Sequence, residues 1–238
     1  MAGDFKMNKA KPTDLMTRWT KAVVRELNPK LFGTSLGPSL HSAKVGRIVL
    51  EGREYLDLQG YPFDKMFINT SLDRIDFSRS LFHGPAGFYK VTANNCRFIR
   101  SSNSGPITGK FTDCCFDGCV FKDPIGWIGN RFIRCSFEGA KFRSGGVRGS
   151  RFEHCSFREC KITGTEFVEC HFDACDFTDA VFKNAFLGGS SMTRVRNNFR
   201  YHDSEDWSKQ ISYIANPDLP TIYFGETSVI NTTFSTGK

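Results

Sequence analysis

The sequence predicts an all-β protein, a coil of short extended pieces and corners that closes a square about every 20 residues, with a helical segment at each end. Three observations predict it. Phenylalanine is heavily reused, with 24 Phe against 6 Tyr and 3 Trp. Large apolar residues recur at every fifth position without a gap from Phe132 through Phe137, Phe142, Val147, Phe152, Phe157, Ile162, Phe167, Phe172, Phe177, Phe182 and Leu187 to Met192. The position two before each is small or fairly small, as in Asn130, Cys135, Ala140, Gly145, Ser150, Cys155 and Cys160.

A period of five matches neither the 3.6 of a helix nor the 2 of a strand. It fits a unit with one large inward residue filling the centre, one small inward residue near a corner, and three residues facing water. Four such units close one turn. The cysteines obey the same rule, since every one except Cys115 precedes a Phe or Ile by two.

Taken in chain order, residues 1–64 read as an N-terminal helix and capping segment. Thr13 and Asp14 open an amphipathic stretch with Leu15, Trp19, Val23, Val24 and Leu27 on one side. It is expected to end near Asn28-Pro29 and to cover an open end of the coil. Residues 65–194 read as the repeat. Phe67, Leu72, Phe77 and Phe82 keep the spacing, although Lys65 and Ile75 depart from the small position. Phe88 and Phe98 follow with a slip of one, and Phe111, Phe116 and Phe121 come after a longer gap. That gap, Ser101 to Pro106, is rich in turn formers and reads as a loop leaving the coil. A second slip at Trp127 reads as a bulged corner with an inward Trp. Residues 195–238 form the C-terminal part: Ser204-Glu205-Asp206 opens a second capped helix through Trp207, Ile211 and Ile214, and the spacing of five returns from Thr227 to Thr236.

Units such as Cys155-Ser156-Phe157-Arg158-Glu159, Cys170-His171-Phe172-Asp173-Ala174 and Cys175-Asp176-Phe177-Thr178-Asp179 resemble the pentapeptide repeat family, whose pattern is a small residue, a variable polar one, a central Leu or Phe, and two more. The resemblance implies a right-handed quadrilateral β-helix. It also brings a function into view, because the best-known members protect type II DNA topoisomerases from quinolones by imitating duplex DNA. By the same resemblance, the aromatic residues Phe199, Tyr201, Trp207 and Tyr213 could form a homodimer contact at the C-terminal end.

Composition narrows the function classes. Net charge is +7, which permits an acidic partner without demanding one. No apolar run approaches the roughly 18 residues of a membrane span and Met1 to Lys11 is polar, so a cytoplasmic protein with no membrane partner is expected. Nine Cys without a secretory signal read as reduced thiols. Folded on about 20 residues per turn, Cys114, Cys135, Cys155 and Cys175 fall in one inward column. A straight ladder cannot form a tetrahedron, and the C-x₂-C pairing that zinc favours is missing, so no metal or cofactor is expected. Nor is an enzyme: there is no G-x-S-x-G, Walker loop or H-E-x-x-H, and pairs such as Asp173 and Asp176 read as solvated charges.

The outward charges are the more informative pattern. Lys110, Arg131, Arg151 and His171 fall in one column, with Arg134 and His154 beside it. On the opposite face Lys122, Arg143 and Lys183 form one column, and Lys141 and Lys161 another. Glu159, Glu166, Glu169, Asp173, Asp176 and Asp179 give the later turns an acidic zone. The repeat carries 18 Lys plus Arg against 13 Asp plus Glu, the wrong sign for a rod that imitates DNA along its whole length. The expectation is a non-enzymatic interaction or scaffold protein that presents polar columns to a protein partner. The rival readings are nucleic-acid backbone binding through the basic columns, topoisomerase protection through the acidic zone, and a self-protection or toxin-neutralising role.

Overall fold

The computed structural model describes residues 18–32, 45–124, 126–194, 198–202, 221–225, 228–230 and 233–235, with backbone alone for 29–32 and from 198 onward. These build a parallel β-solenoid of about seven turns. One regular turn runs Arg131–Ile133, the bridge residue Ser136, Lys141–Arg143 and Gly146–Arg148 before the next begins at Arg151–Glu153. Each piece pairs in parallel with its counterpart one turn on. The coil therefore has four sides, called here the Arg131, Ser136, Lys141 and Arg148 faces.

The corners explain why five residues suffice. The residue two after each central one sits in the left-handed region, with φ of 49° at Arg134, 58° at Ser144, 54° at His154 and 56° at Glu159, and glycine takes the same place at 139, 149 and 164. That conformation reverses the chain sharply, and its N–H then bonds the next turn, as Arg134 N does to Glu153 O at 2.9 Å. The small position lies against the turn below, where Cys155 Sγ donates to Phe132 O and Cys175 Sγ to Phe152 O at 3.5 and 3.3 Å. A larger side chain there would separate the turns.

The centre is filled by stacked rings. Phe98, Phe116, Phe137, Phe157 and Phe177 form one stack with centroids 4.6, 4.9, 4.9 and 4.8 Å apart and planes within 7°. Phe111, Phe132, Phe152 and Phe172 form a second. The nine Phe of the regular repeat from Phe132 to Phe182 are at most 1 % exposed. Trp127 is fully buried as expected, edge-on to Phe121 at 4.9 Å.

One expectation is overturned in the middle of the coil. Ser101 to Pro106 does not leave it: Ser102–Asn103 is a strand between Leu81–Phe82 and Val120–Phe121. Asn103 takes an inward place where neighbouring turns carry Phe82 and Phe121, with Oδ1 accepting Gly105 N at 2.7 Å. The turn-forming composition has another cause, because a Cβ on Gly105 would stand 1.7 Å from Ala86 O. Glycine there permits close stacking rather than departure.

The ends also differ from expectation. Helix α1, Lys21–Phe32, starts at Thr20, whose Oγ1 accepts Val23 N at 3.3 Å, and continues past Pro29; the Thr13–Asp14 cap lies outside the described residues. Its packing fixes its place, since Leu27 joins the core and Tyr61 Oη donates to Asn28 Oδ1 at 2.8 Å. Ahead of it, Arg18 forks onto Asp57 at 2.7 and 2.8 Å and Trp19 Nε1 donates to Gln59 O at 2.7 Å. Strands β1 (Arg47–Leu50) and β2 (Arg53–Asp57) form a hairpin turned by Glu51 and Gly52, both at positive φ. Parallel pairing begins earlier than the spacing of five suggests, with Leu56–Asp57 on Ile75–Asp76 and Pro62–Phe63 on Leu81–Phe82. At the other end, Ser228–Ile230 and Thr233–Ser235 add to the coil as the returning spacing predicts, and Thr221–Gly225 joins them. Asn198–His202 pairs outside Thr221–Gly225. The expected helix from Ser204 to Ile214 and the side chains of the proposed aromatic dimer contact lie outside the described residues.

Candidate interaction surface

Parallel in-register pairing turns sequence spacing into vertical columns. Lys110, Arg131, Arg151 and His171 stack in that order on the Arg131 face. On the opposite side, Lys122, Arg143, Thr163 and Lys183 form one column of the Lys141 face, and Val120, Lys141, Lys161 and Val181 form the other. All these basic residues are exposed except Lys141, which is half-buried. Stacked strands lie about 4.8 Å apart, so like charges in a column repel unless a carboxylate intervenes.

On the Arg131 side carboxylates do intervene. Arg131 forks onto Glu153 at 3.0 and 3.1 Å, and Arg134 onto Asp113 at 2.8 Å through both nitrogens. Hydrogen bonds from Arg134 hold the Asp113 carboxyl below the usual carboxylate range. His171 Nδ1 meets Ser191 Oγ at 2.7 Å, and His154 is exposed. Lys110 and Arg151 have no carboxylate within ion-pair distance among the described residues.

The acidic zone is compensated at three of its six members, Glu166, Asp173 and Asp176. Arg194 forks onto Asp173 and holds its carboxyl low. Arg158 reaches Asp176 at 3.1 Å and Glu138 at 3.4 Å. Burial pushes the Asp176 carboxyl up, but bonds from Thr178 and Arg158 outweigh it and leave it lowered. Glu166 stands 3.7 Å from Arg148. Glu169 and Asp179 are exposed and make no ion pair among the described residues.

The Lys141 face differs from both. Lys122, Lys141, Arg143, Lys161 and Lys183 have no carboxylate within ion-pair distance among the described residues, and neither outward column contains an acid. The carboxylate partners on the other faces were invisible in the five-residue period. A signal for them exists, because each paired residue stands about one turn away with a small offset, as Asp113 does from Arg134 and Asp173 from Arg194.

The thiol column is longer than expected, with Cys96 joining Cys114, Cys135, Cys155 and Cys175 through the neighbouring bridge ladder. All five are buried. Burial pushes the Cys119 and Cys170 thiols up to about 12, and desolvation likewise raises Cys135 and Cys175. The described residues hold no group of three or more His, Cys, Asp or Glu arranged to bind a metal, and no helix long and apolar enough to cross a membrane.

Residues 148–191 match the family described as pentapeptide repeats (9 copies). No curated protein sequence matches the chain. Among solved structures, full-length QnrB1, described as a plasmid-mediated fluoroquinolone resistance protein, is 12 % identical over 69 % of this chain and 93 % of its own, with a TM-score of 0.33. A trypsin-treated form of QnrB1 is 17 % identical over 73 % of this chain and 71 % of its own, with a TM-score of 0.29. Rfr23, a pentapeptide repeat protein from the cyanobacterium Cyanothece 51142, is 14 % identical over 50 % of this chain and 89 % of its own, with a TM-score of 0.26. The family match falls on turns whose inward residues recur at every fifth position from Phe132 to Met192, so residues 148–191 carry pentapeptide repeats.

Proposed function

We propose that this protein is a non-enzymatic interaction scaffold that engages a protein partner through cations its own ion pairs leave free. The observation that carries the reading is the uneven neutralisation of the columns. Arg131, Arg134, Arg158 and Arg194 are tied to carboxylates, whereas Lys110 and Arg151 on one side and Lys141, Arg143, Lys161 and Lys183 on the other have no carboxylate partner among the described residues. A coil with a stacked aromatic centre holds such groups at fixed spacing, so little ordering cost remains to be met on binding.

Imitation of DNA by the acidic zone has less support, because Asp173 and Asp176 already face guanidinium groups. The test is affinity capture from the native cell with the full chain and three charge-reversed variants. Loss of a captured protein on Lys110→Glu with Arg151→Glu, or on Lys141→Glu with Lys161→Glu, is the expected result. Loss only on Asp173→Lys with Asp176→Lys and Asp179→Lys would transfer the role to the acidic zone, and capture of no protein by the wild-type chain would end the scaffold reading.

A further inference from the structure

Resting on that reading, we propose that the Lys141 face is the docking site and that its occupant is a short carboxylate-rich protein segment with apolar residues at its ends. The cations lie on a lattice: two columns about 7 Å apart along the strand direction and rungs about 4.8 Å apart along the rod. From the rung of Val120 to that of Val181 the patch is thus about 15 Å long, the reach of a few residues rather than of a long polymer.

Two features select the occupant. Within the patch the Lys141 column reads Val120, Lys141, Lys161, Val181, before continuing to Ser102 on one side and Tyr223 on the other, and Val181 is 38 % exposed. Two ammonium groups bracketed by aliphatic side chains complement acids bracketed by apolar residues. The second feature is an acidic frame. Asp123 occupies the corner after the face, and Glu159 and Asp179 occupy the corner before it, all three at the left-handed corner position and exposed. A short acidic segment fits between them. A nucleic-acid backbone running past the patch meets these carboxylates, and the described part of the face offers no exposed aromatic ring for base stacking.

The probe is a fluorescein-labelled synthetic peptide of alternating glutamate and aspartate flanked by valine, titrated with the full chain and followed by anisotropy. The wild type should bind it with an affinity that falls as salt rises. Lys141→Glu with Lys161→Glu should weaken binding at least about tenfold, near the scale of two lost charge contacts, and Lys141→Gln with Lys161→Gln should weaken it less. Lys65→Glu with Lys90→Glu, the same charge change at exposed sites outside the patch, should leave it within about twofold. Circular dichroism and thermal unfolding check that each variant is folded, and the glutamine pair keeps the test open if the glutamate pair is not. No peptide binding by the wild type, equal loss in the Lys65 and Lys90 variant, or tighter binding of a labelled duplex DNA to the same face would each overturn the proposal. If the native partner is captured by the wild type and equally by the Lys141 and Lys161 variants, this assignment fails while the scaffold reading stands.

Discussion

Replacing Asn130 with alanine tests how the coil bridges its irregular turn. Pairing between Gly87–Asn94 and Ile107–Thr112 shifts register between Ile107 and Gly109, and pairing of this strand with the next turn starts only at Lys110. The Asn130 side chain holds this strand from the next turn: Oδ1 accepts Gly109 N and Nδ2 donates to Ile107 O, each at 2.8 Å, with the residue 1 % exposed. Alanine keeps the bond from Asn130 N to Ser150 Oγ but strands one half-buried donor and one buried acceptor. At about 1–3 kcal/mol for each unsatisfied group, the loss should be about 2–5 kcal/mol. Asn130→Asp should cost at least as much near neutral pH, since it cannot donate to Ile107 O and buries a charge. Urea unfolding followed by circular dichroism reads the loss as a lowered midpoint at unchanged slope. A loss below about 1 kcal/mol for alanine, or an aspartate variant as stable as the wild type, would refute the bridging role.

Phe157→Ala removes a ring stacked at 4.9 and 4.8 Å on both sides and should cost about 3–5 kcal/mol by the same assay; a loss near 1 kcal/mol or less would mean the stack is not the core. Ala174→Gly, at a corner with φ of 51°, should stabilise by about 0.5–1 kcal/mol because glycine meets no steric penalty there, and destabilisation would show that the corner is not the strained element. The buried Asp76 carboxyl is raised chiefly by desolvation; its folded-state stabilisation is therefore full below the ordinary carboxylate range and is lost as pH rises through the raised value. Asp76→Asn should accordingly raise the unfolding midpoint at about pH 7 and make little difference near pH 3, and the reverse order would contradict that sign. Asp113 and Asp173, held low by Arg134 and Arg194, contribute in the opposite sense, with support present above the ordinary range and lost on acidification. The buried thiols should resist alkylation in the folded protein and react together on unfolding, and rapid native-state labelling of Cys135 or Cys155 would contradict their burial.

The period of five was legible in the sequence because one local demand repeats: each unit must place a large residue at the centre and a small one against the turn below. Phe132 to Met192, the inward Trp127 and the outward columns of Lys110, Arg131 and Arg151 all follow from that rule. Tertiary structure alone decided three other matters. Asn103 and Gly105 belong to the coil because contact with Leu81–Phe82 and Ala86, far back in the chain, overrides their turn-forming composition. Asn130 bridges a register shift that arises between neighbouring turns and has no mark in its own unit. Which cations are free depends on carboxylates about one turn away, and the turns are unequal: Arg97 to Cys115 is shorter than Cys115 to Ser136. A periodic sequence specifies which residues face in or out, because that is set within each unit. It does not specify which charges meet, because that depends on the stacking offset between turns, and only the folded coil fixes it.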